Sequence, residues 1–246
     1  MKVLIFGHSD SDGSQLRDAS RGLPRILQQL LAAATETEVE VRHRVFHAGP
    51  SGENFLQKEL DSFAPDVALL ATSTHPVLVE FVSNRVRERW GLRAGRLAHR
   101  AENAISQRTI AAGPATKPAY MALRKTARKV FGARPTMTAE QLIACYEQCM
   151  MRLARVEGLH TIIGGGIGYT AETRRKNPNM DALQNMLQDR FRELAALHRF
   201  DWLSQEAVLG GPGAKEKYYN SDGIHTDERS QRLFAEALLP LVLARV

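Results

Sequence analysis

Residues 67–71 read Val-Ala-Leu-Leu-Ala, an apolar run introduced by Pro65-Asp66. So short a run suits a strand better than a buried helix, and its lack of alternation is wrong for a strand with one face in water. A short continuous run is what a central parallel strand shows when helices cover both of its faces. This constraint sets the rest of the reading, because parallel strands need long, usually helical, connections between them.

The pattern elsewhere supplies those connections. Residues 2–6 form a second apolar run, ended by Gly7. In 23–34 apolar residues recur at Leu23, Ile26, Leu27, Leu30 and Leu31, the three-to-four spacing of a helix packed along one side. Residues 38–46 alternate through Val39, Val41 and Val45 before Pro50-Ser51-Gly52, a strand running into a loop, and 54–63 is a predicted helix. Thr138 and Gln141 form a possible capping box for a helix through Leu142, Tyr146, Met150 and Leu153. Thr161-Ile162-Ile163 is the next strand, and Gly164-Gly165-Gly166 reads as the loop after it, on the substrate side. A helix through Leu183, Leu187 and Leu194, a short strand near 200–203 and a final helix with Thr226 as its candidate cap complete the chain. The predicted fold is α/β, a single three-layer domain over 1–246 with a central parallel sheet and right-handed crossovers.

Composition agrees with a packed globular chain: of 246 residues 43% are hydrophobic and 24% charged, which excludes fibrous and disordered classes. No apolar run approaches the ~20 residues of a membrane span. Residues 1–9 are too short for the apolar region of a signal peptide, so the expected location is cytoplasmic. Cys145 and Cys149, four apart, read as packing residues on one helix face rather than as metal ligands.

One segment breaks the βα rhythm. About sixty residues, 76–136, stand where a connection of about 2–6 residues would precede a helix, so they form an insertion with its own helices. Between 83 and 135 there are thirteen Lys or Arg against Glu88 and Glu102, a local +11, while the remaining residues carry 20 basic and 25 acidic side chains. Residues 121–131 place Leu123, Ala127, Val130 and Phe131 on one helical face and Arg124, Lys125, Arg128 and Lys129 elsewhere around the helix. These four basic residues are candidate substrate or lid residues, and the segment suits an anionic substrate or an acidic partner. Nucleic acid is not expected, since no zinc finger, helix-turn-helix spacing or aromatic interleaving accompanies the charge.

Two places carry candidate chemistry. Ser9 comes directly after the 2–6 strand in a small polar loop, and the carboxyl edge of an open α/β sheet is where ligands bind. Asp222 and His225 stand three apart in a turn that enters the last helix. There the carboxylate can accept from one ring nitrogen, leaving the other to take a proton from a serine.

In this order and at the two ends of an α/β chain, these residues resemble the SGNH (GDSL-type) hydrolase family. Phe6-Gly7-His8-Ser9 is similar to its Gly-Asp-Ser block, with His8 in place of Asp, and implies Ser9 as nucleophile. Gly49-Pro50-Ser51-Gly52 resembles the second block and implies the Gly52 backbone as an oxyanion donor. Asp222-Gly223-Ile224-His225 resembles the last block and implies Asp222 as the orienting acid and His225 as the base. The third block departs: the chain reads Ser73-Thr74-His75-Pro76, with His75 where the family has an oxyanion-binding Asn.

The resemblance implies a flavodoxin-like fold and a serine hydrolase of a small carboxylic ester or thioester, with no metal or organic cofactor. It covers about 1–75 and 138–246, and it sets the insertion beside the third block, at the rim of the expected site. A metal site built from His8, His75 and His225 has no accompanying carboxylate at ligand spacing, so none is expected. Two other readings stay open: an acyltransferase using the same triad with an anionic or carrier-bound partner, and a non-catalytic binding protein on the hydrolase scaffold.

Overall fold

The computed structural model describes residues 1–8, 11, 13, 16, 18–49, 51–112, 117–176, 179–211, 214–219 and 225–244. The chain divides into two compact units, one made of Met1–Thr74 with Glu140–Val246 and the other of His75–Ala139.

The first unit is built on five strands: β1 (Lys2–Gly7), β2 (Glu40–Val45), β3 (Val67–Ala71), β4 (His160–Gly165) and β5 (Asp201–Ser204). They form one sheet in the order β2-β1-β3-β4-β5, and every pairing is parallel. Its helices are α1 (Leu23–Ala34), α2 (Gly52–Phe63), α6 (Ala139–Leu153), which begins at the last residue of the other unit, α7 (Ala171–Lys176), α8 (Met180–Leu197), α9 (Gln205–Val208) and α10 (Glu228–Leu243). The second unit holds α3 (His75–Leu78), α4 (Val82–Ala112) and α5 (Lys117–Phe131).

Alternation along each inner strand divides the core into two layers. Val3 and Ile5 of β1, Val67 and Leu69 of β3 and Ile162 of β4 pack with Leu23, Leu27 and Leu31 of α1 and Phe234, Leu238 and Val242 of α10. Leu4, Phe6 and Leu70 are equally buried. Phe6 meets Phe46 and Phe55 of α2 edge to face, and the aromatic chain continues from Phe46 to Tyr146 of α6 and on to Phe191 of α8, with ring centroids 4.8–6.5 Å apart. The unbroken apolar runs of the sequence are therefore inner strands buried on both faces. β2 and β5 lie at the edges, where all residues are at least partly exposed.

Two local expectations are corrected. The first two glycines of Gly164-Gly165-Gly166 belong to β4 rather than to the loop after it. A Cβ on Gly165 would stand 2.5 Å from Cζ2 of Trp202, so this glycine lets the Trp202 ring sit tightly against β4. The cap of α10 is Asp227 rather than Thr226: the Asp227 side chain accepts from the Ser230 N–H at 3.0 Å.

In the second unit α4 is two helical pieces meeting at Gly91, whose φ of +84° favours glycine. The two ends of this unit are joined by an antiparallel pair, Phe81 with Arg134, at 2.8 and 3.1 Å, and by the Thr136 N–H on the Pro76 carbonyl at 2.8 Å. Among the described residues no helix is long and apolar enough to cross a membrane.

Gly165→Ala drives a methyl into the Trp202 ring and forces it to shift. The expected loss is about 1–3 kcal/mol, read as a fall of roughly 2–4 °C in Tm per kcal/mol.

Candidate active site

A sheet ordered β2-β1-β3-β4-β5 reverses its winding between β1 and β3, and ligands of such sheets bind beyond the carboxyl ends of those two strands. β1 ends there at Gly7, followed by His8, and β3 ends at Ala71, followed by Thr72, Ser73 and Thr74.

Ser9 lies outside the described residues, but both sides of its loop are anchored. The Ser11 N–H donates to the His8 carbonyl at 2.9 Å, which holds Ser11 against His8. Ser11 is buried, and its Oγ accepts from the His8 N–H at 3.1 Å, with the His8 carbonyl at 2.9 Å and His43 Nε2 of β2 at 3.0 Å. A hydroxyl has one proton. With the His8 carbonyl taking it, Ser11 accepts from a protonated Nε2 of His43; with His43 taking it, that nitrogen is the unprotonated one. Gly7 makes the cluster possible, since a Cβ there would fall 2.0 Å from Ser11 Oγ and 2.6 Å from His43 Nε2. The glycine of the first block is thus a packing requirement.

Asp222 also lies outside the described residues. His225 is half-buried, and the segment it opens is held at four points. Thr226 pairs antiparallel with Tyr219, the Asp227 N–H donates to the Tyr218 carbonyl at 2.6 Å, the Tyr219 hydroxyl donates to the Gly168 carbonyl, and Thr226 Oγ1 accepts from Gln231 Nε2 at 2.8 Å. Gln231 is itself buried, and its Oε1 accepts from the Leu23 N–H at 3.3 Å. Arg21 adds an ion pair to Glu228 at 2.7 Å. One side chain, Gln231, therefore links the first turn of α1, downstream of the Ser9 loop, to the residue next to His225.

Gly52 is buried as the first residue of α2, and its N–H donates to the Gly49 carbonyl at 2.9 Å. The Gly49 N–H in turn donates to Cys145 Sγ at 3.3 Å. Hydrogen bonds from Cys149 and from that backbone hold the Cys145 thiol below its ordinary range, while the bond to Cys145 and burial push Cys149 up. The cysteines are packing residues, as expected, and one of them also fastens the turn before Gly52.

After β3, the Thr72 hydroxyl donates to the Gly164 carbonyl at 3.0 Å, and the Ser73 N–H donates to the Tyr146 hydroxyl at 2.9 Å. Burial raises the Tyr146 hydroxyl and pushes that of Tyr169 up to about 12, the latter against a hydrogen bond with Thr74, so both are neutral at ordinary pH. His75 opens α3 in the second unit, its ring 5.7 Å from that of Phe81. A cavity of about 20 Å³, lined by His8, Ser11, Thr72, Gly165, Gln205 and Gln231 among others, lies at this edge and has room for about one water. Among the described residues no group of His, Cys, Asp and Glu is placed to hold a metal ion.

Of the four basic residues singled out on α5, Lys125 and Lys129 are exposed and Arg128 donates from Nη2 to the Glu80 carbonyl at 2.7 Å; the Arg124 side chain lies outside the described residues. Sequence reasoning missed Ser11, His43 and Gln231. Ser11 stood in the polar loop beside Ser9, but nothing local marked His43 or Gln231, whose roles depend on contacts 32 and 208 residues away.

No protein-family model matches the sequence, and no curated protein matches it. Solved structures do. A lipase/acylhydrolase from Enterococcus faecalis superposes with a TM-score of 0.59 at 17% identity, covering 99% of this chain and 96% of that one. TesA gives 0.58 at 17% identity with 100% of both chains covered. A structure described as a GDSL-like lipase, from Parabacteroides merdae, gives 0.57 at 11% identity over 98% of this chain and 94% of that one. The chain has the three-layer parallel α/β fold of these structures.

Gln231→Met keeps the bulk of the side chain and removes both of its described bonds. Stability should fall by about 1–3 kcal/mol, measured as a lower urea midpoint at unchanged slope. Gly7→Ala, which drives a methyl into Ser11 Oγ, should cost at least as much in the same measurement.

Proposed function

We propose that this protein is an ester hydrolase of the SGNH (GDSL-type) family, one hydrolase domain over 1–246 with the helical insertion at about 76–136. The observation that carries the reading is the Gln231 link, which ties the first turn of α1 to the residue next to His225. The shared fold and the Gly7-X-Ser9 and Asp222-X-X-His225 motifs support it.

In this reading Ser9 Oγ attacks the carbonyl carbon of a small carboxylic ester or thioester while His225 takes the serine proton. The tetrahedral intermediate collapses as His225 returns that proton to the departing alcohol or thiol. Asp222 holds the imidazole tautomer that leaves the second nitrogen free. Water, activated by the same histidine, then releases the acid from the Ser9 acyl-enzyme. The backbone N–H groups of Ser9 and Gly52 stabilise the oxyanion. Gly52 serves in this way by sharing or exchanging its bond to Gly49.

A fluorophosphonate probe should add once to the natural chain, at Ser9, and not to Ser9→Ala. Hydrolysis of p-nitrophenyl esters of graded chain length should fall by about 10⁴-fold or more in Ser9→Ala and in His225→Ala. An unlabelled natural chain, alongside a control hydrolase that labels, would overturn the assignment.

A further inference from the structure

Apolar exposure is concentrated in the second unit. Seven of the ten exposed large hydrophobic side chains among the described residues lie between 90 and 131, and the other three, Val45, Met186 and Leu197, are scattered over the rest. The apolar face of α5, which its sequence pattern sets up for burial, is open: Leu123 is 51% and Val130 63% exposed. Trp90, 55% exposed, precedes the Gly91 kink and Leu92 comes after it, and the Trp90 ring meets that of Phe131, at the end of α5, with centroids 6.1 Å apart. An exposed aromatic pair thus stands where α4 bends and α5 stops. Single exposed hydrophobes are ordinary, but a clustered set marks an interaction surface.

The charge around this surface has one sign. Glu88 is engaged by Arg85 and by Arg134, the latter at 3.0 Å. Glu102 is spent as a cap, accepting from the Val82 and Ser83 N–H groups at 3.0 and 3.2 Å. No other acid stands between 83 and 135, and Arg87, Arg89, Arg93, Arg96, Arg100, Lys125 and Lys129 are all exposed. On the second piece of α4, Arg93, Arg96 and Arg100 recur at helical spacing beside the stripe of Leu97 and Ile105. The cations are spread over three helical pieces on long side chains rather than gathered round one cavity, so they match an extended anionic surface better than a single bound anion. Arg and Lys beside exposed Trp, Phe and Leu are the chemistry of a segment lying at a bilayer interface.

We propose that the helical unit 75–139 docks on the surface of an anionic phospholipid bilayer, with Trp90, Leu92 and Phe131 entering the headgroup boundary and the arginines of α4 facing the lipid phosphates. The bond is non-covalent and independent of Ser9, so Ser9→Ala should bind vesicles as the natural chain does, and loss of esterase activity would leave this inference standing.

The test is co-flotation of the full chain with vesicles of phosphatidylglycerol and phosphatidylcholine in equal parts, against phosphatidylcholine alone. Partitioning should be at least about ten-fold stronger on the anionic vesicles and should weaken steeply as salt shortens the screening length. Each cation near such a surface adds roughly five-fold, so R93Q/R96Q/R100Q should lose about a hundred-fold. Lipids brominated in the upper acyl chain should quench fluorescence of the natural chain, and Trp90→Phe should abolish that quenching, since Trp202 of β5 is the only other tryptophan. If the triple variant fails to fold, the salt series and the quenching on the natural chain decide. Absence of flotation, equal partitioning on both vesicles, an unquenched Trp90, or binding confined to an acidic protein or to a second copy of this chain would each overturn the proposal.

Discussion

The structure depends on β1 being buried on both faces. Val3 and Ile5 pack into the α1 and α10 layer while Leu4 and Phe6 are buried on the alternate face, so the strand has no side to offer to water. It pairs in parallel with β2 and β3 at once, and every other strand takes its place outward from that pair. A parallel strand so enclosed must hand the chain to a loop at its carboxyl end, and that loop carries Ser9.

Beyond the carboxyl end of β1 the constraint is space. Ser11 has to fold back beneath the strand end and meet His43, and only a residue without a side chain at position 7 leaves the room. The same economy recurs across the sheet, where Gly165 admits Trp202 and Gly166 admits the Thr72 carbonyl. Glycines that look like loop punctuation are here the condition for tight packing at the edge where chemistry is expected. The second unit obeys the opposite rule: its apolar side chains are left exposed beside unbalanced positive charge, at an unrecovered hydrophobic contribution of about 25 cal/mol for each Å² left in water.

Position along the chain concealed much of the site. The Ser9 and His225 motifs are local, three or four residues each, and their order at the two ends of an α/β pattern was legible as a resemblance. Gln231 and His43 were not, because each acts across the fold: Gln231 joins the start of α1 to Thr226, and His43 reaches Ser11 from the neighbouring strand. The helix cap falls one residue later than expected, at Asp227, since Thr226 and Asp227 are both good caps and the Thr226 hydroxyl is engaged by Gln231.

By itself the sequence determined the layers, the parallel sheet and the inserted basic helices, because these arise from hydrophobic period and run length, which are properties of neighbours along the chain. The tertiary structure decided which face of each strand meets which helix, that Gly164 and Gly165 are strand rather than loop, and that the apolar face of α5 is uncovered. Those outcomes depend on side chains far apart in sequence competing for the same volume, and no local pattern records the winner.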